Sequence, residues 1–411
     1  MRGGMRLRAG AAWPAQYNER MPQANPQPNA AESGTVIVGM SGGVDSAVAA
    51  LLLLKAGHAV QGLFMSNWED DGYCTAATDF QDARRVCDLL GIALHRVSFA
   101  EQYRERVFSH FLSEYAANRT PNPDVLCNRE IKFGVCLDYM QRLGASFIAT
   151  GHYARVGRID GEAALLKGAD ASKDQSYFLH SVNPGALAKT LFPLGGMRKH
   201  EVRRLAHAFG LPVHDKPDST GICFIGERPF QEFLGRYLRT AAGPIETDSG
   251  KVVGEHRGLA LYTLGQRSGL GIGGRAGSAA APWYVADKQT ARNALIVVQD
   301  QNHALLMTDR FEVEQAHWLE SAAEQAQAFD CSVKTRYRQG DLACSVSRLS
   351  DACWQVDLRD SARAVTPGQY AVFYRGDRCL GGGIIARRFN LSRASGDSRI
   401  TYNDQFSAEG S

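Results

Sequence analysis

Three short stretches of this 411-residue chain carry residue types that can do chemistry together. The first is Gly39-Met40-Ser41-Gly42-Gly43-Val44-Asp45-Ser46, which follows the apolar run from Thr35 and precedes an Ala/Leu-rich run ending at Lys55-Ala56-Gly57. Two glycines permit a tight turn and close approach of the backbone, and N–H groups at a helix start cradle phosphate oxygens. Ser41 and Ser46 add hydroxyl donors. The loop lacks the Gly-Lys-Ser/Thr of the ATPase P-loop and the Gly-x-Gly-x-x-Gly of dinucleotide sites. Asp45 would repel a phosphate unless a Mg²⁺ ion stood between them. The second stretch, Asn118 to Gly134, sets Asp124 three residues before Cys127, on a loop stiffened by Pro121 and Pro123. A cysteine near a helix start, with Arg129 and Lys132 beside it in sequence, is expected to favour thiolate. The third puts Cys223 between Gly221 and Gly226, in a glycine-punctuated loop.

The elements that must position these stretches follow from periodicity. Strand 35–40, helix 45–56, strand 58–65, helix 78–90 and strand 93–99 alternate, with Gly57 and Gly91 where helix caps belong. That alternation predicts an α/β domain with a parallel sheet. Helices near 101–117 and 129–143 lead to a strand ending at Gly151-His152. Ligands sit beyond the carboxyl ends of strands in such sheets, where the 41–46 joint, Met65 and Gly151-His152 all fall. A helix over 198–209 and a Gly/Pro/Asp-rich loop over 211–228 come next. From about residue 304 short alternating strands predict a small β-barrel, with Lys334-Thr335-Arg336-Tyr337-Arg338 on one of them.

Bulk properties narrow the class. Hydrophobic residues make up 44% and charged residues 22%, and the net charge is +3, so no strong basic excess announces nucleic acid. No apolar run reaches the ~20 residues of a spanning helix, so no membrane role is expected. Nine cysteines without a Cys-x-x-Cys pair argue against a metal or cluster site and for reduced thiols. Seven of them (Cys74, Cys87, Cys136, Cys331, Cys344, Cys353 and Cys379) are expected to be packing residues. Residues 1–33 have the composition of a disordered extension and 391–411 that of a polar tail. A cytoplasmic protein is expected. A transit peptide in the Arg-bearing 1–20 is the mitochondrial alternative, and Met21 is an alternative start.

The motifs together place the chain in a family. Ser-Gly-Gly-Val-Asp-Ser resembles the PP-loop of ATP pyrophosphatases. Adding Asn-Pro-Asp-x-x-Cys-Asn (122–128), Gly-His-Tyr-Ala (151–154), Lys-Asp-Gln-Ser-Tyr (173–177), Ser-Thr-Gly-Ile-Cys-Phe-Ile-Gly (219–226) and Thr-Leu-Gly-Gln-Arg (263–267), the sequence resembles the tRNA-uridine 2-sulfurtransferases from Thr35 to Phe389. The resemblance implies a PP-loop catalytic domain over 34–228, a central tRNA-binding domain over 229–303 and a C-terminal β-barrel over 304–390. It implies that Gly39, Met40, Ser41, Gly42, Gly43, Val44, Asp45, Ser46, Met65 and Gly151 bind ATP, with Mg²⁺ assisting. Asn122, Pro123 and Asp124 would face the target base, with Asp124 as general acid/base. Cys127 would be the nucleophile and Cys223 the persulfide carrier, the two ending as a disulfide. His152, Lys173, Asp174, Gln175, Arg336, Tyr337 and Gln369 would contact tRNA. The implied reaction adenylates the C2 oxygen of the wobble uridine in Lys, Glu and Gln tRNAs and replaces it with sulfur. The Cys223 persulfide would attack C2 directly, or Cys127 would release hydrosulfide from it; the residues do not choose between these. The implied partners are tRNA and a persulfide sulfur-carrier protein or cysteine desulfurase, and the implied state is a monomer. Two other readings stay open on the residues alone: an amide-forming PP-loop synthetase, which needs no paired cysteines, and a non-catalytic tRNA-binding protein.

Overall fold

The computed structural model describes residues 34–68, 76–218, 230–272 and 281–390. Cys74, Cys223, the N-terminal extension and the polar tail lie outside the described residues. The chain divides into two compact units. One comprises residues up to 108, 123–228 and 376–380, and the other 109–122, 229–375 and 381 onwards.

In the first unit, β1 (Thr35–Gly39), α1 (Val44–Lys55), β2 (Ala59–Ser66), α2 (Ala76–Leu90) and β3 (Leu94–Ser98) alternate as the periodicity predicts. The sheet is parallel. β1 lies between β2 and β4 (Ala145–Ala149), β3 pairs with β2, and the short strand Thr190–Leu191 pairs with β4. The middle of the central strand is apolar because both faces are covered: Val36, Ile37 and Val38 are inaccessible to solvent. α1 is covered as well, since its Ala and Leu side chains pack against the sheet and against Val202, Leu205 and Ala206 of the helix Lys199–Ala208. Truncating Leu51 to Ala there would cost roughly 2–5 kcal/mol. α1 stops at Ala56, and Gly57 takes the left-handed conformation (φ +88°) that closes such a helix.

Two stretches differ from expectation. The segment expected to be helical over 101–117 is helical over Ala100–Tyr103, π-helical over Arg104–Phe108 and α-helical again over Ser109–Ala116. The second helix starts at Pro123 rather than near 129, because a proline is suited to the first helical position. It becomes a π-helical stretch at Cys127–Val135 before Cys136–Arg142.

The second unit holds a four-stranded sheet of Gly243–Thr247, Val252–His256, Tyr284–Gln289 and Ala294–Val298. It also holds a closed six-stranded antiparallel barrel. Around the barrel the order is Met307–Trp318, Cys353–Arg363, Leu342–Arg348, Ala328–Lys334, Tyr370–Arg375 and Arg378–Asn390, which pairs back with the first. Trp318, Phe329, Trp354 and Phe373 pack ring to ring there, Trp318 lying 5.0 Å from Trp354 and 5.4 Å from Phe373. One strand ends earlier than expected: pairing stops at Lys334, Thr335 is buried, and Arg336-Tyr337 fall in the following turn. Among the described residues no helix is long and apolar enough to cross a membrane.

Candidate active site

Gly39 to Ser46 form the joint between β1 and α1. Gly42 has φ +75°, and a Cβ there would lie 2.3 Å from the Asp79 carbonyl oxygen, so only glycine fits. The two serines brace the loop from within. Ser46 Oγ donates to Gly43 O at 3.1 Å, accepts the Ser41 amide at 3.2 Å and lies 3.2 Å from Ser41 Oγ. Met65 and Gly151 converge on the same place. A Cβ on Gly39 would be 3.9 Å from Met65 Cε, and one on Gly151 would be 2.8 Å from Ser46 N. The ends of β1, β2 and β4 therefore close around the start of α1, and the ten residues expected to bind ATP form one neighbourhood.

Charges that the sequence reading did not single out complete this site. Asp45 accepts from Tyr153 Oη at 2.8 Å and from Lys199 Nζ at 2.7 Å. Lys199, only 13% exposed, also reaches Asp218 at 2.8 Å; Asp218 in turn holds Lys173 at 2.8 Å and Arg203 at 2.6 Å. Partial burial opposes the charge of Asp218. The hydrogen bonds and attraction of Lys173 and Lys199 overcome it, and the carboxyl stays well below the usual carboxylate range. Lys216 does similar service for the loop, donating to Gly42 O at 3.0 Å, Asp79 at 2.7 Å and Asp82 at 2.6 Å. The repulsion expected between Asp45 and phosphate is thus met by a lysine from a distant helix. One signal was available in the sequence: a lysine opening a helix opposes the helix dipole and needs a local reason.

The second neighbourhood surrounds Cys127. Cys127 is 5% exposed and starts the π-helical stretch, one turn into the helix rather than at its N-terminus. A Cβ on Gly134, whose backbone leaves helical geometry, would crowd Arg129 O at 2.8 Å. Of the two cations expected beside Cys127, Arg129 pairs with Glu130 at 2.7 Å. Lys132 is the one whose charge is felt here. Burial pushes the Asp124 carboxyl up, and Lys132 offsets this only in part. Burial, reinforced by Lys132, holds His152 well below the ordinary histidine value, so its imidazole is neutral. His152 Nδ1 lies 2.7 Å from Thr150 Oγ1, and its ring is 5.9 Å from both Phe133 and Phe192. Cys136 is fully buried, with its thiol pushed up to about 12, as befits a packing residue. Asn128, another residue without an assigned role, donates to Phe178 O at 3.2 Å and ties this stretch to the helix after Gln175.

Other positions expected to meet RNA hold the protein together. Asp174 is buried, accepting from Gly168 N at 3.0 Å, Ser176 N at 3.1 Å and Ser176 Oγ at 3.1 Å. Gln175 Oε1 accepts the Tyr153 amide at 2.9 Å. In the second unit, Arg336 turns inward and donates at 2.8 Å to Leu264 O, Ala364 O and Thr366 Oγ1. Gln369 donates to Thr120 O at 2.7 Å. Tyr337 is half-buried under the Arg338 guanidinium, 5.3 Å from its ring. Lys173, which pairs with Asp218, is a quarter exposed.

Family models agree with this architecture. The tRNA methyl transferase HUP domain matches residues 34–227, its PRC-barrel domain 231–299, and the aminomethyltransferase beta-barrel domain 308–385. Among similar proteins, the tRNA-specific 2-thiouridylase MnmA of Chromohalobacter salexigens is 57% identical over 366 residues, covering 88% of this chain and 95% of its own length. That of Verminephrobacter eiseniae is 56% identical, with 85% and 98% covered, and that of Methylococcus capsulatus 55%, with 87% and 98%. Identity at this level across nearly the full length of each relative leaves one conclusion: the chain belongs to the MnmA family of tRNA-specific 2-thiouridylases, which are sulfurtransferases.

Proposed function

We propose that this protein thiolates the wobble uridine of tRNA at C2, spending ATP to AMP and pyrophosphate. One observation carries the reading: the step Gly151-His152 touches both neighbourhoods. Gly151 abuts Asp45 and Ser46 at the nucleotide loop, and the His152 ring packs on Phe133 within the Cys127 segment. In this reading the activated phosphorus and the Cys127 thiol work at one carboxyl edge of one sheet.

The chemistry needs both. Ring nitrogens delocalise into the C2 carbonyl of uridine and make it a poor electrophile, and its oxygen is not a leaving group. Attack of that oxygen on the α-phosphorus expels pyrophosphate, and sulfur then displaces AMP. In this reading Gly39 to Ser46, Met65 and Gly151 hold ATP, and Asn122, Pro123 and Asp124 face the extruded base. Asp124, with its raised pKa, moves a proton near the base edge, a role worth ~10²–10⁴ in rate. Cys223 carries the incoming persulfide. Either its outer sulfur attacks C2, displacing AMP, and Cys127 then attacks Cys223 Sγ so that the sulfur leaves on C2, or Cys127 attacks Cys223 Sγ first and frees hydrosulfide, which displaces AMP. Each route leaves a Cys127–Cys223 disulfide for an external dithiol to reduce. Neutral His152, with Lys173, Tyr337 and the loops built by Asp174, Gln175, Arg336 and Gln369, meets the RNA. Among the described residues no group of three His, Cys, Asp or Glu side chains is set to hold a metal. Mg²⁺ would enter with the phosphates of ATP and offset their charge, with Asp45 the acid of the loop nearest to it. Lys, Glu and Gln tRNAs are the proposed substrates, a persulfide carrier the proposed donor, and a cytoplasmic monomer the proposed form.

The deciding experiment incubates full-length protein with unmodified tRNA, ATP, Mg²⁺ and a persulfide source, then digests the RNA for mass spectrometry. The expected product is 2-thiouridine, absent from Cys127→Ser and Cys223→Ser. AMP production by the wild type without the thiolated nucleoside, or full product from the double Cys→Ser variant, would overturn the proposal.

A further inference from the structure

The arm leading into Asn122-Pro123-Asp124 is tied down by residues far away in sequence, all within the second unit. It leaves the helix Ser109–Ala116 and turns at Asn118, whose φ of +58° is a conformation asparagine tolerates better than most residues. Asn118 O accepts from Lys288 Nζ at 2.8 Å. Arg119 Nε pairs with Glu114 at 2.7 Å. Thr120 N donates to Pro367 O at 3.0 Å, Thr120 O accepts from Gln369 Nε2 at 2.7 Å, and Thr120 Oγ1 lies 3.2 Å from Thr263 Oγ1. Gly368, at φ +91°, passes so near that a Cβ there would lie 2.8 Å from Thr120 N.

Lys288 is the unusual member of this set. It sits in the strand Tyr284–Gln289, is 5% exposed, and among the described residues forms no ion pair. Removing an ammonium from water without a counter-ion is costly, and a methionine of similar length would fill the same space without that cost. Burial alone brings its pKa down to about 7. Charged or neutral, the nitrogen keeps an N–H, and that N–H is given to the backbone of the arm.

We propose that Lys288 is a positioning residue for the thiolation reaction: through Asn118 it fixes the 118–122 arm, and so sets where Asn122 presents itself to the target base. The role rests on the function proposed above. It also gives the Thr263 motif and Gln369 a shared purpose, since both grip the same arm at Thr120.

The test uses the full chain as wild type, Lys288→Met and Gly368→Ala, the last pushing on the arm from its other side. Steady-state thiolation gives kcat and KM, filter binding gives tRNA affinity, and peptide mapping after iodoacetamide gives the alkylation rate of Cys127. In both variants kcat should fall about 10- to 100-fold, the loss expected for an ångström-scale misplacement. The tRNA Kd should stay within about twofold, and Cys127 alkylation should change by about threefold or more. A folded Lys288→Met with wild-type kcat and alkylation rate would overturn the proposal, as would a loss lying wholly in tRNA affinity. If Lys288→Met does not fold, Gly368→Ala decides by the same criteria. A wild type that makes no 2-thiouridine condemns the functional reading instead, and the alkylation comparison still reports on the arm.

Discussion

The nucleotide loop and the arm before Pro123 both hold a polar turn at the start of a helix, and they do so by opposite means. The loop braces itself: Ser41, Gly43 and Ser46 bond to one another within six residues, and the charges around it are strong ion pairs. The arm bonds to Thr263, Lys288 and Gln369 through hydrogen bonds to its backbone and one hydroxyl. A phosphate site needs a preformed ring of N–H donors, which short-range contacts supply well. A site that must receive an extruded base needs its loop placed relative to the surface that meets the RNA, which only long-range contacts can do. The difference also separates their vulnerabilities. The loop should be sensitive to charge removal, the arm to lost or crowded hydrogen bonds.

The largest expected effect separates the two regions outright. Cys127→Ser should lower thiolation by about 10³-fold or more while AMP formation on tRNA persists, measured by nucleoside mass spectrometry beside nucleotide chromatography. Equal loss of both activities would mean that the regions do not act in sequence. Next, Asp124→Asn should lower kcat by ~10²–10⁴ with little change in the KM for ATP, because the proposed function puts the carboxyl on the base-facing side. A change confined to the KM for ATP would place it on the wrong side of the comparison.

Smaller effects sharpen the contrast. Lys199→Met leaves Asp45 and Asp218 short of a partner; as each is about a third exposed, a stability loss of about 1–3 kcal/mol is expected by denaturant unfolding. The KM for ATP should rise about tenfold, and Lys199→Met with Asp45→Asn should recover part of both losses, as interacting neighbours do in a double-mutant cycle. Additive losses would show that Lys199 does not serve Asp45. The arm has a pH signature instead. Lys288 falls from the ordinary 10.5 to about 7 on folding, so between those values the unfolded chain binds more protons than the folded one. Stability must therefore rise with pH across that window, by up to about 1.4 kcal/mol per pH unit. Asp287, which feels Arg388, adjoins Lys288 in the strand, and Glu114 pairs with Arg119 of the arm, so the reading is the difference between wild type and Lys288→Met. The slope should flatten in the variant; identical slopes would mean that Lys288 is not the group responsible.

How far the sequence went depends on the reach of each interaction. β1, α1 and the turn between them were legible because apolar period, glycine conformation and helix capping act over a few residues. The barrel strands were legible for the same reason up to Lys334, where alternation continued in the letters and pairing stopped. Thr335 is buried there and Arg338 takes φ +65°, so the chain turns and Arg336 points inward. Asp174, Gln175 and Gln369 carry polar side chains that fit RNA contact by type, yet each is occupied inside the protein.

By itself, then, the sequence determined the parallel sheet, the glycine turn between β1 and α1, and the barrel, because each is written in contiguous residues. Only the tertiary structure decided that Lys199 neutralises Asp45 across 154 positions and that Lys288 reaches Asn118 across 170. Coulomb attraction and hydrogen bonding depend on distance through space, and such pairs leave no period or spacing in the chain for a reader to find.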